Sequence, residues 1–392
     1  MCYNNNTKLM EGRDLMIYLD NSAGTRPCLE VIETITDVLT NHWGNASADN
    51  SFGKDAIAII NDITNQVADD INCDQDEIIW TSGACEANSM AIMGVLNANP
   101  HMHFYTTHLE HTSINDAVKN ITGHYISFIN NNTDGTINLI DLERKLHFSY
   151  EIGANILVSI SAANSEIGVT QDLKAISDIV HKYNGILHVD ATQAYPWYQI
   201  NVKNIGIELM SVSGQKMNCV KGIGFLFVRN DIKLKPLIYG SQQDGKRGGT
   251  YPTHLIAAFG KALELTRGYG YKSNISKYRD KMLEKLLLIN GIHINGPMNG
   301  LRLPNNISLT IDGVKAETLV TMCDLMGVII AKGSACKSYE PKPSETLLAI
   351  GLTTEQAFNT IRISLDRFTT EEEINTAANI ITKLVERIRN EN

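Results

Sequence analysis

Short apolar runs that stop abruptly in polar, glycine- or serine-rich loops recur through residues 78–228, and segments of helical spacing separate them. Ile78, Ile79 and Trp80 break into Thr81-Ser82-Gly83-Ala84-Cys85-Glu86, and residues 103–106 lead into His108-Leu109-Glu110-His111-Thr112-Ser113. Residues 155–160 end at Ser161-Ala162-Ala163-Asn164-Ser165, and residues 186–189 deliver Asp190. The stretches between them carry stripes such as Leu173, Ile176, Ile179 and Val180, which suit one buried helical face. Strands joined by helices lie parallel with both faces covered, and such sheets bind ligands beyond the carboxyl ends of the strands. The expectation is an α/β fold around a mostly parallel sheet, with Cys85, His111, Ser165, Asp190 and Lys216 just past strand ends.

Residues 211–228 stand out within that pattern. Lys216 follows the turn Ser213-Gly214-Gln215, between an apolar approach (Ile207, Leu209, Met210, Val212) and a β-type exit (Ile223, Phe225, Leu226, Phe227, Val228). A lysine in a polar turn is ordinarily a solvated surface residue. At a strand end it can instead form a Schiff base with an aldehyde cofactor, if the chain also supplies a carboxylate for a pyridine nitrogen and a cup for a phosphate. Asp190, delivered straight off a buried run, is a candidate for the carboxylate, because an unpaired buried charge is costly. The Ser82-Gly83-Ala84-Cys85 turn opens a helix and is a candidate anion site, although serine and glycine serve equally for capping there.

Composition excludes several classes. With 43% hydrophobic and 20% charged residues, the chain is that of an ordinary globular enzyme, and its length of 392 residues suits a large domain with a smaller companion. A net charge of -9 speaks against direct nucleic-acid binding, which needs clustered Lys and Arg. The polar N-terminus and the absence of a long apolar run predict a cytoplasmic protein that does not enter a membrane. Its 7 cysteines are widely spaced without a CxxC pair, so neither a disulfide framework nor a zinc site is expected. His101, His103, His108 and His111 lack a matching carboxylate or cysteine set and are not assigned a metal. An imidazole at a strand end could stack on an aromatic cofactor instead.

The boundary between domains is placed near Gly268-Tyr269-Gly270, giving a large domain over 16–267 and a small α+β domain over 268–392 together with 1–15. The small domain mixes strands at residues 306–311, 327–330 and 360–364 with helices starting at about Lys315, Ser344 and Glu371. Thr370 and Glu373 fit a capping box for the last helix, whose Ile374, Ala378, Ile381, Leu384, Val385 and Ile388 form one face. Between strand and helix lies Lys332-Gly333-Ser334-Ala335-Cys336-Lys337, where flanking lysines bias an exposed thiol toward thiolate.

Taken together, the blocks IYLDNSAGTRP, TSGACEAN, EHTS, NSEIGVTQD, HVDATQ, SGQK, KGIGFL, RGGTYPTH, GSAC and IRISLDRFTTEEE, in this order, resemble the cysteine desulfurases of the NifS/IscS-like branch of the class-V aminotransferase-like enzymes. The resemblance covers about residues 17–368. It implies fold type I of the enzymes that use pyridoxal 5'-phosphate, with a sheet of the seven-stranded type. It implies that Lys216 holds the cofactor, Asp190 pairs with its ring nitrogen, Gln193 contacts the ring hydroxyl and His111 stacks on the ring. Ala84, Cys85, Ser213 and Gln215 would serve the phosphate, with Thr250 reaching across from a second copy, so that a homodimer is implied; Ser165 lies near the ring hydroxyl. Arg362, helped by Asn164, would bind the substrate carboxylate, for which a guanidinium fork suits better than an ammonium.

Lys216 would move the α-proton of L-cysteine, with His111 as a further catalytic group, and the Cys336 thiolate would attack the substrate sulfur. L-alanine and a Cys336 persulfide, carried to an acceptor protein, would result. The family usually has Thr at Cys85, His at Gln215, Asn at Ser165 and His at Asn50. Two rival readings stand beside this one: another enzyme of the same fold and cofactor, an aminotransferase or β-lyase, and a degenerate homologue acting as a scaffold in sulfur transfer.

Overall fold

The structure, a computed structural model, describes residues 16–268, 272–297, 300–333 and 342–391. Its centre is a 7-stranded sheet of β2 (Ile78–Thr81), β3 (His103–Thr107), β4 (Ile126–Ile129), β5 (Ile156–Ser161), β6 (Ile186–Asp190), β7 (Leu209–Ser213) and β8 (Gly224–Val228), in the order β2-β8-β7-β6-β5-β3-β4. All neighbours are parallel except at β8, which runs antiparallel to both β7 and β2. The physical reason lies in the connections. Helices such as Thr112–Lys119 and Leu173–Lys182 carry the chain back between parallel strands, whereas only the short turn through Gly214–Lys216 joins β7 to β8, and a short link suffices only for antiparallel strands. Every residue of β2, β7 and β8 is buried, as expected of a sheet covered on both faces.

β4 and the helix Leu139–Glu151 are absent from the reading of the sequence. β4 is four residues long at the sheet edge and three of its four side chains are only partly buried. The helix keeps Leu142 and Leu146 inside but exposes Ile140 and Phe148, so its stripe is blurred.

A second sheet of 4 strands is antiparallel, with β9 (Ile292–Ile294), β10 (Asn306–Ile311), β12 (Ala331–Lys332) and β13 (Thr360–Ser364) in the order β12-β13-β10-β9. The single strand expected over 327–330 is divided. β11 (Val328–Ile329) pairs in parallel with β1 (Ile17–Tyr18), and past Ile330 the chain crosses to β13 as β12. This crossing ties the N-terminal segment to the small sheet, because Asp20 bridges to Ser364 and Ser22 N–H donates to Ser364 Oγ at 2.8 Å.

The last helix, Glu371–Glu391, buries the expected apolar face, including Ile374, Ile381 and Ile388. Its capping box is formed: Glu373 N–H donates to Thr370 Oγ1 at 3.2 Å and Thr370 N–H to Glu373 Oε2 at 2.7 Å. One contiguous apolar core links Leu19, Val158, Phe259, Leu309 and Ile381, so both sheets share an interior. No helix among the described residues is long and apolar enough to cross a membrane.

Candidate active site

The parallel strands bring their carboxyl ends to one edge. The registers Ser161↔Asp190 and Asp190↔Ser211 set β5, β6 and β7 level, so Asp190, which is the last residue of β6 rather than just past its end, lies between the loop holding Asn164 and Ser165 and the turn holding Lys216. Because β8 runs the other way, it begins at this edge, with Gly224 opposite both Thr81 and Ser213. The backbone is packed tightly there. A Cβ on Gly224 would lie 2.3 Å from Val212 O and 2.8 Å from Gly83 Cα. Gly83 itself has φ +146°, a value that side chains rarely allow, and places the start of the helix Ala84–Ser89 beside Ser213, whose Oγ is 3.6 Å from the Cβ position of Gly83. Ala84 and Cys85 therefore open a helix next to the buried Ser213 hydroxyl, and the Cys85 thiol is exposed.

Lys216 ends a 3-10 turn, and its Nζ donates to Ser22 O and Ala23 O, each at 2.8 Å. Burial, and then the charge of Arg362, lower its pKa to about 8, while Asp20, Asp190 and Cys85 act in the opposite sense. Roughly one lysine in ten is then neutral at pH 7, against about one in three thousand for an unperturbed amine. That is the condition a nucleophilic or proton-moving amine needs.

Arg362 comes from the middle of β13 and is buried. Nη2 donates to Asp20 Oδ1 at 2.7 Å and Nη1 to Ser165 O at 3.4 Å, while Nε is buried with no partner among the described residues. A buried guanidinium with an unmet donor is prepared to take a further carboxylate. Gln193 Nε2 donates to Ser22 O at 3.1 Å, so Gln193 and Lys216 meet at one carbonyl. Asp190 is buried and accepts from Thr192 N–H at 3.0 Å and from Asn88 Nδ2 at 2.8 Å. His111 caps the helix Thr112–Lys119, its exposed ring accepting from Ser113 N–H at 3.1 Å.

Other expected residues hold backbone. Asn164 donates from Nδ2 to Leu109 O at 2.7 Å, and its Oδ1 accepts from Glu166 N–H and Ile167 N–H at 2.8 and 3.0 Å, so its side chain shapes the loop. Ser165 enters through its carbonyl, which also accepts from Asn306. The Gln215 carbonyl accepts from Thr25 N–H at 3.1 Å and Thr25 Oγ1 at 2.9 Å, docking the N-terminal loop on the lysine turn. Thr250 is exposed ahead of the helix Thr253–Gly268. Cys336 lies outside the described residues. Among the described residues no His, Cys, Asp and Glu side chains cluster as metal ligands.

Two buried acids were not anticipated. Glu110 accepts from Thr107 Oγ1 at 2.6 Å and Ser161 Oγ at 2.5 Å, tying β3 to β5, and burial, partly offset by these bonds, pushes its pKa up to about 7. Glu166 accepts from Ser344 Oγ at 2.6 Å, its other oxygen is buried without a partner among the described residues, and burial, eased by Ser344 and Arg362, likewise raises it to about 7. Glu110, Glu166, Asn88 and Asp20 all lie inside blocks noted in the sequence. Only their partners, distant in the chain, reveal what they do.

The set fits pyridoxal phosphate by its donor chemistry. Among the described residues there is one lysine of depressed pKa, a buried carboxylate near it that a cationic ring nitrogen could pair, and a glycine-containing turn that opens a helix beside a serine hydroxyl.

Comparison with known proteins gives a consistent result. Residues 17–376 match the aminotransferase class-V family. Cysteine desulfurase IscS 1 of Archaeoglobus fulgidus is 33% identical over 382 residues, spanning 95% of this chain and 98% of the relative. Among solved structures, a NifS-like protein superposes with TM-score 0.87 at 26% identity, covering 95% of this chain and all (100%) of its own. SspA in complex with cysteine superposes with TM-score 0.79 at 27% identity, covering 90% and 99%.

Proposed function

The chain belongs to the aminotransferase class-V family and within it to the cysteine desulfurases, and from that premise we propose that it converts L-cysteine to L-alanine with Lys216 as the cofactor-holding base and Cys336 as the sulfur acceptor. The observation that carries this assignment is the position of Lys216, lowered to about 8 and within electrostatic reach of Arg362, Asp190 and Asp20 at one sheet edge. Pyridoxal phosphate, when bound, would supply an electron sink for the pair released at the substrate α-carbon. Lys216, Asp190, Gln193 and His111 would hold it, with Ala84, Cys85, Ser213 and Gln215 toward its phosphate.

The residues divide the remaining work. Arg362 binds the substrate carboxylate with its free donors and orients the amino acid between the two sheets. Asp190 would pair with the ring nitrogen of the cofactor. Lys216, in its neutral form, takes the α-proton at Nζ and returns it. The Cys336 thiolate attacks the substrate sulfur: the carbon–sulfur bond breaks, a sulfur–sulfur bond forms, and the electron pair left on carbon takes up a proton. Cysteine and enzyme thiol thus become alanine and enzyme persulfide, with no outside oxidant. The persulfide then passes its outer sulfur to an acceptor protein.

A homodimer and a cytoplasmic location complete the proposal, with the division into 16–267 and 268–392 (joined by 1–15). The dimer is supported by the exposed Leu29, Ile32 and Leu39 along one helix beside the stacked, half-exposed Trp43 and Phe52, and by an exposed Thr250 that a second copy could use.

The test is incubation of the purified protein with L-cysteine and no reductant, followed by mass-spectrometric mapping of Cys336. One added sulfur atom is expected on Cys336, and none in Lys216→Ala. A plain thiol on a protein that holds pyridoxal phosphate would transfer the chemistry to an aminotransferase or β-lyase, and a protein that takes up no cofactor would be a scaffold.

A further inference from the structure

We infer that Asn88 and Ser113 are positioning residues that join the Asp190 carboxylate to the His111 ring and fix which ring nitrogen bears the proton. Asn88 is fully buried and lies in the helix Ala84–Ser89, between Asp190 and the helix Thr112–Lys119. Its amide nitrogen donates one hydrogen to Asp190 Oδ2 at 2.8 Å and the other to Ser113 Oγ at 2.9 Å. Both contacts are made by the amide nitrogen, and they use its two hydrogens. Ser113 Oγ, having accepted from Asn88, has its own hydrogen left for His111 Nδ1, 2.8 Å away, and Ser113 N–H reaches the same nitrogen at 3.1 Å.

Each link therefore has one direction. Nδ1 receives two donors and must present a lone pair, so the proton of the neutral ring sits on Nε2, the nitrogen left for ligand or solvent. A purely structural asparagine would satisfy both ends of its amide. In Asn88 the oxygen is buried and has no partner among the described residues, a cost tolerated while both hydrogens serve the Asp190–Ser113 bridge. Carboxylate and imidazole are thus held in one polarised chain, and hydrogen bonds in such chains strengthen one another. The meaning of this chain for catalysis rests on the proposed roles of Asp190 and His111, but its existence does not.

The test uses full-length protein labelled with 15N-histidine, with cofactor as purified and again after its removal, His111 being assigned by the signal lost in His111→Gln. Wild type should show Nε2 protonated and Nδ1 as an acceptor. Ser113→Ala should raise the share of the Nδ1-protonated form about twofold to tenfold, the loss of one neutral hydrogen bond, and Ser113→Thr should restore it. Asn88→Ala, which does not touch the ring, should move the ratio the same way by less. A ratio unchanged in Ser113→Ala or in a folded Asn88→Ala, a Ser113→Thr that behaves like Ser113→Ala, or a wild-type ring protonated at Nδ1 overturns the inference. If Asn88→Ala does not fold, the two Ser113 variants decide. A protein that fails to load sulfur yet shows the expected ratios would defeat the proposed reaction and leave this inference standing.

Discussion

The two sheets contribute to one site in opposite ways. The large sheet delivers Asp190 as the buried last residue of β6 and Lys216 from the turn that follows β7, both at the carboxyl edge of the parallel strands. The small sheet delivers Arg362 from the third position of a five-residue strand buried throughout. A cation there needs a partner, and Asp20, carried in by the segment after β1, supplies it at 2.7 Å. A parallel sheet with covered faces gathers chemistry at its edge by topology alone, whereas β13, buried throughout, offers a charged residue mid-strand because another part of the chain is folded against it. The site is accordingly as good as the packing of β1, β11 and β13 around residues 20–23.

The most severe way to break that partnership is Arg362→Gln. It removes the donors for the substrate carboxylate and leaves Asp20 without its cation. We expect kcat/KM for L-cysteine to fall about a hundredfold, carried mainly by KM. Because the Arg362 charge lowers the pKa of Lys216, its removal should also shift the Lys216-governed limb of the rate profile to higher pH. Steady-state kinetics across pH 6–10 checks both, and a limb that stays in place would show that the two sheets are not coupled electrostatically.

A second effect separates the buried acids. Glu110 belongs to the large sheet and Glu166 meets Ser344 and Arg362 of the C-terminal part, and both are raised from 4.5 to about 7. In the folded state each holds its proton between pH 4.5 and 7 while the unfolded chain has released it. Their stabilising contribution is therefore complete below pH 4.5 and lost as pH rises through about 7, an effect of about 3 kcal/mol each. Urea denaturation at pH 5 and pH 7.5 should show wild type losing stability over that interval. Glu110→Gln and Glu166→Gln should each reduce the loss, and the double substitution should reduce it further than either. If only one of them does so, the burial of the other is relieved by water.

The smallest expected change tests whether the C-terminal layer can be weakened without disturbing the site. Thr370→Ala deletes the cap of the helix Glu371–Glu391 and should cost about 1 kcal/mol in denaturation, with sulfur loading of Cys336 unaltered.

Much of this was legible before the structure. The strand-to-helix rhythm identified a mostly parallel sheet, and the ordered blocks pointed to the family that the comparisons establish. β4 is not visible in the sequence because an edge strand that is half exposed has no clean period, and 327–330 reads as one strand because a run of apolar residues does not record which sheet each pairs with. Asn88, Ser113, Glu110 and Glu166 escaped for a different reason. Each is an ordinary polar residue with at least one partner 25 to 178 positions away in the chain.

By itself, then, the sequence determined which side chains stand at strand ends, since that follows from local periodicity and from where apolar runs stop. Only the tertiary structure decided how they are charged. The lowered pKa of Lys216, the pairing of Arg362 with Asp20, the protonated buried glutamates and the chain from Asp190 to His111 all depend on burial and on distances between segments remote in sequence, and neither quantity is written in local order.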